Sequence, residues 1–362
     1  LEAIMPYLTE HFGNASSIHQ MGQRARRALD DARNTCMNLL GAFSPHEIIF
    51  TGSGTESCNT ALYGAAFGRQ DRGKHIIVSA IEHPAVMEPA RYLRDNFGFE
   101  LTEIKPGDEG IVKPEDVEAA LREDTILVSL MYANNEVGTI QPIKKVAKLC
   151  RDRGILFHTD ACQAPGFLNM DLEYLGVDLL TLNGSKIYGP KGVGLLYVRE
   201  GVQITPLILG GGQEFRMRGG TENTALIVGF ATALEFTMKD SKQEAERIGA
   251  LRDSLLTQLL TIPGVTLNGS TEKRLENNIN IHVDGLSGET LVMRLDIEGL
   301  AASSGSACSS GKTEPSHVLL AMGQTPKEAS ESLRLSLGHG TTEAEIKKAA
   351  KLITEVIVGL RA

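Results

Sequence analysis

Short aliphatic runs alternate with stretches of helical periodicity along the first two thirds of this chain, and that alternation restricts the fold more than any other feature. The runs fall at 47–51, 75–80, 125–131, 155–159, 178–181 and 194–198. Helical patterns occupy 18–40, 55–68, 84–96, 114–122 and 142–153. A strand–helix repeat predicts an α/β fold: a mostly parallel, mixed sheet flanked by helices. Such sheets bind ligands beyond the carboxyl ends of their strands. Past about residue 240 the pattern changes. A polar helical stretch (239–261) ends at Pro263-Gly264, and a strand-like run at 278–283 and a helix at 288–297 follow. A loop rich in Ser and Gly (303–311), a run at 332–337 and a closing helix at 342–360 complete it. This part predicts a smaller α+β domain.

Charge and cysteine usage narrow the class. Asp plus Glu number 45 against 36 for Lys plus Arg, a formal charge of −9. A nucleic-acid binder shows the opposite surplus. No apolar run approaches the roughly 20 residues of a membrane span, and no basic segment followed by an apolar one opens the chain, so no export signal is expected. The five cysteines are Cys36, Cys58, Cys150, Cys162 and Cys308. Their number is odd and no two stand at C-x-x-C spacing, which argues against a disulfide framework or a zinc ribbon. A reducing cytoplasm and no metal are expected.

Four stretches carry groups suited to chemistry. Phe50-Thr51-Gly52-Ser53-Gly54-Thr55-Glu56-Ser57 follows a strand and opens a helix. Its free N–H groups favour a phosphate, and Thr55 and Ser57 offer hydroxyls; a plain capped turn would look similar. In His158-Thr159-Asp160-Ala161-Cys162-Gln163 an acid ends a buried strand, a costly placement unless a cation faces it. A protonated pyridine nitrogen is one such cation; a structural ion pair is another. In Asn183-Gly184-Ser185-Lys186-Ile187-Tyr188-Gly189 a lysine follows a strand, where partial desolvation would free its amine for a Schiff base; an ordinary loop lysine is the alternative. Finally, Cys308 lies in Ser303-Ser304-Gly305-Ser306-Ala307-Cys308-Ser309-Ser310-Gly311, a setting for a reactive thiol, whereas Cys36, Cys58 and Cys150 suit burial as small apolar residues.

The separation of Asp160 from Lys186 is that of the acid and Schiff-base lysine in fold-type I pyridoxal-phosphate enzymes. With Glu82-His83, Asn134-Asn135-Glu136, Arg218-Gly219-Gly220-Thr221 and the Cys308 stretch, the chain resembles the cysteine desulfurases of the nitrogen-fixation and iron–sulfur-cluster group, within the class-V aminotransferase family. The resemblance runs over nearly the whole chain. It implies a large cofactor-binding domain over 16–240, and a small domain of 1–15 plus 241–362 that carries the cysteine loop.

The resemblance also implies roles. Lys186 carries pyridoxal 5'-phosphate as a Schiff base, Asp160 pairs with the ring nitrogen, Gln163 bonds the phenolic oxygen, and His83 stacks on the ring. Gly54, Thr55, Asn183 and Ser185 hold the phosphate, and Thr221 reaches the phosphate of the other subunit of a homodimer. Asn135 and Arg334 hold the carboxylate of L-cysteine. Cys308 takes its sulfur as a persulfide, leaving L-alanine, and passes it to an acceptor such as an iron–sulfur scaffold or a tRNA-thiolation carrier. Ser185 stands where many relatives have His, and Asn183 where Ser is usual; both still donate to phosphate. Relatives carry a short strand and turn ahead of the position of Leu1, and a sheet edge is expected to be exposed without it. Two other readings remain open on the residues: another enzyme of this fold, an aminotransferase or selenocysteine lyase, which needs Lys186 and Asp160 but not Cys308; and an inactive assembly partner.

Overall fold

The computed structural model describes residues 1–304 and 314–362. Contacts divide the chain into two compact units. The first comprises Leu1–Ile104, Pro114–Tyr132 and Pro142–Asp240; the second comprises Lys105–Lys113, Ala133–Gln141 and Ser241–Ala362.

The first unit is built on a seven-stranded mixed sheet. In chain order its strands are β1 (Ile48–Thr51), β2 (His75–Ser79), β3 (Glu100–Ile104), β4 (Thr125–Ser129), β5 (Leu156–Asp160), β6 (Leu179–Asn183) and β7 (Gly194–Val198). Their spatial order is β1-β7-β6-β5-β4-β2-β3. The β3-β2-β4-β5-β6 run is parallel, and β7 is antiparallel to both β6 and β1. The Gly184–Val193 connection is too short for a crossover, so β7 returns antiparallel. Helices Pro84–Phe97 and Ile143–Asp152 form the crossovers of the parallel pairs β2–β3 and β4–β5, and Gly54–Arg69 carries the chain from β1 to β2. The central strands β2, β4 and β5 are buried at every position, as continuous apolar runs covered on both faces should be.

The pairing directions set the location of chemistry. With β1, β2, β4, β5 and β6 all pointing one way, Gly54, His83, Asp160 and Lys186 follow or end strands at one edge of the sheet, the carboxyl edge.

The pattern predicts neither β3 nor the helix Thr224–Met238; the structure adds both. The predicted grouping of 1–15 with the closing third also differs from the contacts. These residues lie in the first unit, where Ile4 packs against Gly229 of the Thr224–Met238 helix so closely that a Cβ there would stand 2.6 Å from Ile4 Cδ1.

The second unit holds a three-stranded antiparallel sheet, β10-β9-β8, from β8 (Val265–Leu267), β9 (Asn278–Val283) and β10 (Ser332–Ser336). Helices Ser241–Leu259 and Glu343–Arg361 pack on each other beside it. The turn at 134–138 joins this unit through backbone bridges Ala133 to Ile140 and Thr139 to Arg274. No described helix is long and apolar enough to cross a membrane.

Candidate active site

Asp160 is the last residue of β5 and is 8% exposed. Its side-chain donors among the described residues are both neutral: the Cys162 backbone N–H meets Oδ1 at 2.9 Å, and the Cys58 thiol faces Oδ2 at 3.8 Å. A buried carboxylate to which no described cation is bonded is an expensive arrangement for a protein to keep. It fits a site whose cation arrives with a ligand.

The helix Gly54–Arg69 starts beside it. Ser53 caps the helix, its Oγ accepting from Glu56 N–H at 3.1 Å. A Cβ built on Gly54 would stand 3.0 Å from Asn183 Cβ and 3.1 Å from Cys162 Sγ. Three chain segments, at the ends of β1, β5 and β6, therefore close on one point, with only hydrogen on that face of Gly54. The exposed helix N–H groups and the Thr55 hydroxyl offer an anion site there. Ser57 does not take part as expected: it is fully buried, 2.7 Å from Thr51 Oγ1, and also bonds the Ser53 carbonyl. Glu56 draws the next segment in, bridging Gly52 N–H (2.8 Å) and Arg218 (2.9 Å). Thr221, three residues after Arg218, is exposed.

Asn183 ends β6 and caps the single 3-10 turn Gly184–Lys186, its Oδ1 facing Ser185 N–H at 3.4 Å. Ser185 and Lys186 are both exposed. The partial desolvation expected of Lys186 is not imposed by the chain's own packing, because the turn carries it out past the buried Thr181 and Leu182. Lys186 still lies close enough to Cys162 for its charge to oppose the rise of that thiol's pKa. Cys162 is held well above the ordinary thiol value, chiefly by burial and then by the charge of Asp160. His83 caps the helix Pro84–Phe97, its Nδ1 accepting from Ala85 N–H at 3.1 Å, and is half-buried. Gln163 is half-buried three residues past the end of β5.

Behind this edge lie two buried titratable groups. Glu82 Oε1 accepts from Ser79 Oγ (2.6 Å) and Met131 N–H (2.7 Å), and burial pushes its carboxyl up to about 8. His158 is wedged between Ser129 Oγ (2.8 Å) and Thr181 Oγ1 (3.0 Å); burial pushes it down to about 4 and keeps it neutral.

Two further expected residues, Asn135 and Arg334, belong to the second unit. Arg334 sits on β10 and donates from Nη1 to the Asn135 carbonyl at 3.1 Å. Asn134 Oδ1 shapes the turn by accepting from Glu136 and Val137 N–H. Asn278 and Asn280 clamp it by donating to the Glu136 carbonyl. The structure thus brings the expected pair Asn135 and Arg334 together. Cys308 lies outside the described residues. Cys58 is fully buried, as expected of a small apolar residue, and what sequence reasoning did not show is that its thiol faces Asp160.

A pyridoxal phosphate group fits the first unit's residues. The uncompensated Asp160 suits a pyridinium nitrogen, and the close approach at Gly54 suits a phosphate.

Comparisons with known proteins agree. The family model for class-V aminotransferases matches residues 1–349. The cysteine desulfurase IscS 1 of Archaeoglobus fulgidus is 46% identical over 361 residues, covering 100% of this chain and 94% of that protein. The cysteine desulfurase IscS of Dictyoglomus turgidum is 46% identical, covering 99% and 91%. Among solved structures, a NifS-like protein superposes with a TM-score of 0.92 at 37% identity, over 99% of this chain and 95% of that one. SspA in complex with cysteine gives 0.81 at 35% identity, over 93% and 94%.

Proposed function

The chain belongs to the class-V aminotransferase family, in its cysteine desulfurase branch, and on that premise we propose how its residues divide the work. Pyridoxal 5'-phosphate, when bound, supplies a ring that takes up the electron pair left when the α-proton of an amino acid is removed. Lys186 would hold that group through its amine and would move the proton at the substrate α-carbon. Asp160 holds the proton of the ring nitrogen. Its burial with only neutral donors is the observation that carries the reading, because a buried carboxylate favours a cation that faces it.

Gly54, Thr55, Asn183 and Ser185 donate to the phosphate at the helix start. Gln163 bonds the phenolic oxygen. His83 packs over the ring and moves protons. Arg334 spends one N–H on the Asn135 carbonyl and keeps further donors for the carboxylate of L-cysteine. The Asn135 amide adds to that hold. The Cys308 thiolate attacks the substrate sulfur: a sulfur–sulfur bond forms and the carbon–sulfur bond breaks. The electron pair stays with carbon, which takes a proton and leaves as L-alanine.

The protein acts in the cytoplasm as a homodimer in which Thr221 serves the partner's phosphate. The persulfide passes to a protein acceptor, an iron–sulfur scaffold or a carrier for tRNA thiolation. The test is incubation with L-cysteine, the cofactor and a thiol reductant that releases the persulfide sulfur as sulfide. Equal alanine and persulfide-derived sulfide, lost in Cys308→Ala, is the expected result. Pyruvate or amino-group transfer in place of alanine would assign a different reaction to the same fold.

A further inference from the structure

We propose that Cys58 is a positioning residue for Asp160: its thiol proton fixes the carboxylate while leaving nearly all of the negative charge for a cationic partner. This rests on the reading of Asp160 as the partner of the cofactor's ring nitrogen.

Three observations carry it. First, Cys58 stands on the helix Gly54–Arg69, one turn after Gly54, and is fully buried. Its Sγ lies 3.8 Å from Asp160 Oδ2, within reach of a sulfur donor. Second, the other carboxylate oxygen is taken by the Cys162 N–H at 2.9 Å. Two donors from two different segments therefore meet the carboxylate, one on each oxygen. Third, the thiol keeps its proton. Burial and, after it, the charge of Asp160 hold Cys58 well above the ordinary thiol value. A neutral thiol is a weak donor. It orients a carboxylate without drawing off its charge as a hydroxyl or an ammonium would. Cys58 is thus more than a small apolar filler, the role its burial suggests by itself.

Substitutions of opposite donor strength separate this role from packing. Serine and alanine are both smaller than cysteine. Serine donates more strongly; alanine does not donate at all. In the loaded protein, the ring nitrogen is read directly by the 15N resonance of ring-labelled pyridoxal phosphate. The expected result is that Cys58→Ser and Cys58→Ala displace this resonance in opposite directions from wild type, while Asp160→Asn displaces it most. A packing role would move both small variants the same way or leave both unmoved, and either pattern overturns the proposal. If Asp160→Asn leaves the resonance in place, the reading of Asp160 itself fails, and the role of Cys58 with it. A measurement on the cofactor-free protein needs no ligand. The S–H stretching band of Cys58, isolated by subtracting the infrared spectrum of Cys58→Ser, is expected to rise in frequency in Asp160→Asn as the acceptor weakens. A band unchanged by Asp160→Asn would show that no such bond exists.

Discussion

Glu82 shows how a single residue beside the site couples proton binding to stability. Its carboxyl titrates near 8 in the folded protein because burial opposes its charge, against an ordinary value of 4.5. Between those two values the folded chain holds a proton that the unfolded chain has released. The contribution of Glu82 is therefore complete below pH 4.5 and is lost as the pH rises through about 8. Glu82→Gln removes this dependence and keeps the acceptor oxygen that Ser79 and Met131 use. The variant is expected to match wild type in acid and to exceed it above about pH 8 by a few kcal/mol. Denaturant midpoints measured across that range check it; parallel curves for the two proteins would refute it. Gly54 is the second residue whose chemistry is local. A methyl there meets Asn183 and Cys162 at 3.0–3.1 Å. Gly54→Ala is expected to weaken cofactor binding at least tenfold, about 1.4 kcal/mol, and to lower thermal stability as well, because the methyl presses on the protein's own Asn183 and Cys162. Equilibrium dialysis of the cofactor measures this. Both residues were accessible to sequence reasoning to different degrees. Gly54, Asp160 and Lys186 announce themselves by position after apolar runs. The pKa of Glu82 and the partner of Cys58 depend on segments far apart in sequence, which no local pattern reports.

At the scale of elements, the strands with β-branched and leucine-rich runs were legible because both faces are covered, and burial then writes itself as continuous apolarity. Strand β3 was not, because Glu100, Leu101, Thr102 and Glu103 lie at the sheet edge and only Ile104 is buried. Helix Thr224–Met238 was hidden for the opposite reason: apolar residues surround its whole circumference and leave no polar stripe to mark a period. One element is held together by chemistry rather than pattern. Glu214, Phe215 and Arg216 all have positive φ (43°, 55° and 67°), a conformation non-glycine residues avoid. Glu214 is buried and bonds Arg33 through both carboxylate oxygens at 2.7 and 2.8 Å, with Phe50 N–H at 2.9 Å. The Arg33 guanidinium is sandwiched between the rings of Phe50 and Phe215, 4.9 and 4.8 Å from their centroids. Replacing one partner leaves the other charge buried alone, at a cost of about 3–5 kcal/mol. Arg33→Met is therefore expected to lower the unfolding midpoint strongly, whereas Arg33→Met with Glu214→Leu recovers much of the loss. A double variant no more stable than the single one would show that the pair is not what holds this turn.

At the scale of the whole molecule, the proposed exchange of Thr221 between subunits makes a prediction that no single chain can satisfy alone. The Gln213–Arg216 turn and the bond from Arg218 to Glu56 carry the chain outward to Thr221, which ends exposed on its own protomer. If Thr221 donates to the partner's phosphate, a Lys186→Ala protomer still lends an intact Thr221 to its neighbour. Conversely, a Thr221→Ala protomer still owns a working Lys186. Each homodimer of these variants is deficient: the first lacks turnover, and the second binds the cofactor weakly. A mixed dimer contains one site with both residues intact and one site with neither. Co-expression with two different affinity tags, followed by sequential purification, isolates that mixed species. It is expected to show about one tight cofactor site per dimer and turnover close to half of wild type. If Thr221 serves its own protomer instead, every site in the mixed dimer lacks one residue or the other. Turnover would then stay at the level of the Thr221→Ala homodimer or below. The turnover of the mixed species thus decides whether the cofactor pocket belongs to one chain or two.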